Sequence, residues 1–158
     1  MNKLCFALFG ATLFLVGCAS SQPTKMVAKG PLICAENEVC PELAVKWDKD
    51  NRDGFTISAE ISNSESFDIK QLVFLVDHQP YAYSTIQPTQ YQDQKGLKVS
   101  SNFIKVPVSF LNSFRDAKSI DLKLITDKGE IERPILKENG EKSSAYLTFL
   151  KGYAEKPE

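Results

Sequence analysis

The sequence predicts a mainly β domain, an antiparallel sandwich-like fold with one or two short helices. Three features predict it. Short runs of alternating apolar and polar residues recur between Leu43 and Ile135, the period of strands with one buried face. Polar turn clusters separate them, among them Asp53-Gly54, Asn63-Ser64-Glu65-Ser66 and Asp127-Lys128-Gly129, residue types that accept the backbone conformations of tight turns. Only two segments, after Ser109 and after Ser143, carry apolar residues at helical spacing. A single curled sheet with helices on one face satisfies the same pattern as a second architecture.

The chain opens with Lys3 and an almost wholly apolar run from Leu4 to Val16. That run is shorter than the roughly 20 apolar residues that cross a bilayer, and it fits the core of a secretory signal. It ends in Leu15-Val16-Gly17-Cys18, an aliphatic residue at −3, a small residue at −1 and Cys at +1. This stretch resembles the signal of bacterial lipoproteins. The resemblance implies that residues 1–17 are a cleaved signal peptide. It also implies that Cys18 is diacylglycerylated and becomes the acylated first residue of the mature chain. Cys5 lies within the apolar run without that context and leaves with the signal. Several acyl chains, at about 0.8 kcal/mol per buried CH₂, hold a protein on a membrane essentially permanently, whereas one is marginal. Ala19, not Asp, follows Cys18, and by the same resemblance this points to the outer membrane, with the domain facing the periplasm.

About 140 residues remain after cleavage, enough for one domain with a real core. Eighteen Lys and Arg against twenty Asp and Glu leave that chain near neutral, without the basic footprint that nucleic acid requires. Residues 18–30, rich in Ser, Thr, Lys, Pro and Gly, read as a flexible tether able to span up to about 40 Å. The domain is then expected over residues 31–158. Within it, Cys34 and Cys40 bracket five residues, and in an exported chain a disulfide between them is the economical reading. The spacing is not that of a C-x-x-C redox motif, and with a single His it is poor for zinc. No metal and no cofactor is expected.

Leu43, Val45 and Trp47 alternate with Ala44 and Lys46, a strand. The acidic run Asp48 to Gly54 invites comparison with a calcium loop, but it has one residue too many before the glycine. Phe55, Ile57, Ala59 and Ile61 then alternate with Thr56, Ser58, Glu60 and Ser62, so a hairpin with Glu60 on its exposed face is preferred. Leu72-Val73-Phe74-Leu75-Val76 is continuously apolar and predicts a central strand covered on both faces. Asp77-His78 closes it. The lone His beside an acid suggests a general base, but neighbours along a strand point to opposite faces, so a solvated turn His is favoured.

Tyr81, Tyr83 and Tyr91 stand in a segment otherwise filled with Gln, Ser, Thr and Pro. Rigid aromatic rings among uncharged hydrogen-bonding groups are what binding surfaces use. These three residues are the candidate ligand- or partner-binding set. The alternative is two rings on one strand face and a third packing a loop. Leu97, Val99 and Phe103 have the opposite parity from Ile104, Val106 and Val108, which predicts a bulge near Asn102–Phe103.

Ser109 is the expected cap of a helix carrying Phe110, Leu111, Phe114 and Ala117 on one stripe, with Arg115 and Asp116 in water. Ile120, Leu122 and Leu124 form the next strand, and Ile131, Arg133 and Ile135 share a face of the one after. Pro134 marks an edge there, and Arg133 is expected at the sheet margin with its stem packed and its head in water. Ser143 or Ser144 caps a last helix with Tyr146, Phe149, Leu150 and Tyr153 facing the sheet. No nucleophile elbow, P-loop, zincin or dinucleotide fingerprint is present. The expected function is therefore non-enzymatic: an envelope lipoprotein in a binding or assembly role, held by its acyl chains and partnered by another envelope protein. Capture of a small ligand or saccharide by the three tyrosines is the alternative.

Overall fold

In the computed structural model, which describes residues 24–48 and 54–154, two antiparallel sheets pack into a β-sandwich with two helices. In chain order the elements are β1 (Thr24–Pro31), β2 (Glu42–Asp48), β3 (Gly54–Asn63), β4 (Ile69–Val76), β5 (Gln79–Ser84), β6 (Gln90–Gln94), β7 (Leu97–Pro107), α1 (Val108–Asp116), β8 (Ile120–Thr126), β9 (Gly129–Leu136) and α2 (Ser144–Ala154). The larger sheet runs β1-β2-β3-β7-β6, the smaller β5-β4-β8-β9. The chain changes sheet after β3, after β5 and through α1, which places the edge strands β5 and β6 on one flank of the sandwich.

The alternating patterns set which face is buried. Phe55, Ile57, Ala59 and Ile61 of β3 meet Ile69, Leu72 and Phe74 of β4 and Ile120, Leu122 and Leu124 of β8 in one core. Each of the larger side chains contributes about 1.5–3 kcal/mol by leaving water. Glu60 lies on the outward face and pairs with Lys29 at 3.6 Å. Pairing of Val45 with Ile57 and Lys46 with Thr56 makes β2 and β3 neighbours, as the hairpin requires; its turn lies outside the described residues. The signal, Cys18 and the first residues after it also lie outside them.

Several expectations are corrected. The stretch read as a tether is, from Thr24 on, strand β1, paired with β2 from Thr24↔Asp48 to Pro31↔Glu42. Its scattered apolar residues include Ala28, which is buried in the core, and its Gly30 lets α2 approach closely. Strand β7 has no bulge: it pairs with β3 residue for residue from Pro107↔Gly54 to Lys98↔Asn63. Its inward face is Ser100, Asn102, Ile104 and Val106, all buried, so two polar residues on the core side disguised one continuous strand. Strand β4 is interior to its sheet, between β5 and β8, but Val73 and Leu75 on its outer face are only half-buried, not covered.

Helix α1 starts at Val108 with Pro107 as its cap and no side-chain capping bond, the cap standing two residues before the expected Ser109. Its fixed φ suits proline to that position, and Phe110, Leu111 and Phe114 are buried as the stripe predicts. Helix α2 is capped as expected, the Tyr146 N–H donating to Ser143 Oγ at 3.1 Å. The Tyr146 hydroxyl donates to the Phe114 carbonyl at 2.7 Å, tying the helices together. Among the described residues no helix is long and apolar enough to cross a membrane.

Cys34 and Cys40 form the disulfide, with Cα atoms 5.8 Å apart. Its loop lies along β9, where Ile33 N–H donates to the Pro134 carbonyl at 3.1 Å. Arg133 clamps that loop. Its Nε donates to the Val39 carbonyl at 3.1 Å and sits 3.2 Å from Glu38, and its side chain is only 18% exposed. The head expected in water is thus bound to protein, because the disulfide loop offers it the Val39 carbonyl and the Glu38 carboxylate in place of water.

Candidate functional site

The two edge strands β5 and β6 and the link between them carry the candidate site. A buried polar network holds that link. Asn102 donates from Nδ2 to the Ile69 carbonyl at 2.9 Å and to the Gln87 carbonyl at 3.0 Å. Thr89 accepts from the Ile69 N–H at 2.9 Å and donates to Asp68 at 2.8 Å. Ser100 accepts from the Phe67 N–H at 2.9 Å. Buried polar groups are tolerated only when paired, and here their pairing pins residues 85–89 to the end of the sandwich.

Held this way, the segment presents its apolar side chains to water. Five large hydrophobic side chains are exposed among the described residues, and four of them, Tyr81, Ile86, Tyr91 and Leu97, fall within this one stretch. The fifth, Leu147, stands on α2. Scattered exposed apolar residues carry no message, but their gathering on one flank does.

The three tyrosines do not act as one set. Tyr81 and Tyr83 share the inward face of β5 and both pack on Phe110 of α1, with ring centres 5.2 and 5.1 Å away. Tyr83 also meets Phe74 edge-on and is half-buried, and burial pushes its hydroxyl up from the ordinary phenol range. Tyr91 belongs to the other sheet, opposite Ser100. Ser100 bonds to Phe67, whereas Tyr83 and Tyr81 stand opposite Leu72 and Phe74. That offset is five to seven residues of chain, up to about 16–23 Å. Among the described residues Tyr91 makes no ring contact with either of the other two. Tyr83 thus packs against the core, Tyr81 rests on Phe110 with part of its ring in water, and Tyr91 projects from an edge.

A second concavity, about 740 Å³, lies where the β4–β5 turn, the α1–β8 link and the loop before α2 meet. His78 stands at its rim, 77% exposed, with Nε2 3.2 Å from Glu138. Asp77 does not orient the imidazole. Its Oδ1 accepts the backbone N–H groups of Lys118 at 2.7 Å and Ser119 at 2.9 Å, and these bonds hold its carboxyl below the usual range. Both turn residues take positive φ, 47° and 67°, the geometry of a two-residue hairpin turn whose twist matches its strands. The role visible here is structural: Asp77 fastens the start of β8 to the end of β4. Among the described residues no three His, Cys, Asp or Glu side chains gather to hold a metal ion.

Nothing in the sequence marks Ile86 and Leu97 as exposed, and the network of Asn102, Thr89 and Ser100 emerges only in the fold. A signal existed for the network: Ser100 and Asn102 stand at the parity of Ile104 and Val106, where polar residues need partners. No family model, no curated protein and no solved structure matches this chain.

Proposed function

We infer that this chain is a lipid-anchored envelope protein that acts without catalysis, by docking another envelope protein on the β5–β6 flank. One observation carries the docking surface: Tyr81, Ile86, Tyr91 and Leu97 are exposed on that single flank. Interfaces are distinguished by aromatic and apolar anchors set among uncharged polar groups, and Gln87, Gln90, Gln92 and Gln94 supply the latter. The anchor rests on the lipoprotein-like signal ending at Cys18, which directs the chain to the outer membrane facing the periplasm. The saccharide reading needs three rings lining one cleft, and the separation of Tyr91 from Tyr81 and Tyr83 speaks against it. The test is a photoreactive residue introduced at Ile86 and irradiated in intact cells. A discrete adduct with a second envelope protein is expected, and its loss with an added Leu97→Asp substitution. Irradiation that yields no adduct with another protein contradicts the reading.

A further inference from the structure

We propose that strand β6 pairs with β6 of a second copy of this chain, joining the two larger sheets into one continuous sheet across a two-fold axis. The inference stands on the strand edge itself and does not depend on the envelope role; it takes Tyr91 into the pair of copies and leaves Tyr81 on β5 and Ile86 in the β5–β6 link to the envelope partner.

An uncovered edge exposes a row of backbone donors and acceptors that template pairing, and proteins ordinarily blunt it with proline, bulges or charge. Three of the four edges here are treated so. Strand β1 carries a register shift between Met26 and Ala28 and lies against α2. Strand β5 carries Pro80, and β9 carries Pro134 with the disulfide loop bonded along it. Strand β6 has no proline and no bulge, pairs with β7 without a break, and every one of its side chains is exposed; its one charge, Asp93, is offset by Lys98 of β7 at 2.6 Å. Among the described residues nothing bonds its outward row.

The sequence of β6, Gln90-Tyr91-Gln92-Asp93-Gln94, is close to a palindrome about Gln92. An antiparallel two-fold pair centred on Gln92 sets Gln92 opposite its own copy, Gln90 opposite Gln94, and Tyr91 opposite Asp93. Side chains alternate faces along a strand. One face of the joined sheet is therefore a ladder of amide pairs, which donate and accept with equal ease. The other holds two tyrosine hydroxyls, each facing a carboxylate that can accept its proton. No like charges stand opposite each other in this register, whereas one centred on Asp93 would oppose two carboxylates, a destabilising cross-strand pair. This is the isologous self-complementarity that a two-fold interface requires.

The test uses the mature chain with its N-terminal segment, in detergent, with mass read by native mass spectrometry and association by sedimentation. Wild type is expected at twice the monomer mass. Gln92→Lys and Gln92→Glu each place two like charges face to face and should weaken association at least tenfold. Mixed in equal amounts, the two variants should form the heterodimer. Residue 92 is exposed, so both variants should keep the far-ultraviolet dichroism and the cooperative melting of a folded chain, which separates lost pairing from lost folding. A monomeric wild type, single variants that stay dimeric, or a mixture that stays monomeric overturns the proposal, and the first of these would leave the edge to an extended segment of another protein.

Discussion

Replacing Asn102 with Ala removes the side chain on which the candidate flank is fastened. Asn102 is 4% exposed, and its amide supplies a donor to the carbonyls of Ile69 and Gln87 and to Thr89 Oγ1. After truncation the carbonyls of Ile69 and Gln87 both lose their Asn102 donor, because the single proton of the Thr89 hydroxyl is given to Asp68 at 2.8 Å. At about 1 kcal/mol for each net bond, and more for a buried acceptor left bare, the loss comes to about 2–3 kcal/mol. For a domain of this size that lowers Tm by roughly 8–12 °C. Urea unfolding gives the free energy, and hydrogen exchange gives the location. Amides of residues 85–90 should open more often than those of β3 and β8, which are interior strands of the two sheets. A change below about 0.5 kcal/mol, the range of ordinary surface substitutions, would refute the claim that this network secures the flank.

Three further substitutions probe other joints of the fold. Gly30→Ala should destabilise by about 1–3 kcal/mol in urea unfolding, because a Cβ there would lie 2.8–2.9 Å from the Ser144–Ala145 backbone and α2 would have to move. Tyr146→Phe removes the buried bond to the Phe114 carbonyl and leaves that acceptor bare, which should cost about 1–2 kcal/mol with little change in the far-ultraviolet dichroism of the sheets. Asp77→Asn tests the acid limb of stability. The Ser119 and Lys118 N–H groups lower the folded-state pKa of Asp77 below its ordinary value of 3.8. Its contribution is therefore present above that ordinary value and is lost as pH falls through the depressed one. The variant's stability should fall less steeply with acid than that of wild type, measured as urea midpoints on either side of pH 3.8.

The fold was legible where one face of a strand is uniformly apolar. Phe55 to Ile61 and Ile120 to Leu124 alternate without exception, and both lie as read, because a one-residue slip would turn every such side chain to water. Legibility failed where tertiary bonding replaced the pattern. Ser100 and Asn102 sit on the core face, made tolerable by partners 13 to 33 residues away, and no local rule announces such partners. The same holds for Arg133, whose acceptor at Val39 lies 94 residues back along the chain. Residues 24–31 have little local strand character and gain it from pairing with β2. Of the candidate site, the tyrosines were visible as composition, but only the placement of β5 and β6 in different sheets separates Tyr91 from Tyr81 and Tyr83. Ile86 and Leu97 were invisible as site residues, because exposure of a lone apolar residue follows from topology and not from its neighbours in sequence.

The envelope role depends first on acyl chains at Cys18, and mass spectrometry of the mature N-terminal peptide tests them directly. A lipid-anchored chain begins at Cys18, carries diacylglycerol on the thiol, and leaves membranes only with detergent. A mature chain with a free thiol at Cys18, or one released by salt washing alone, would contradict it.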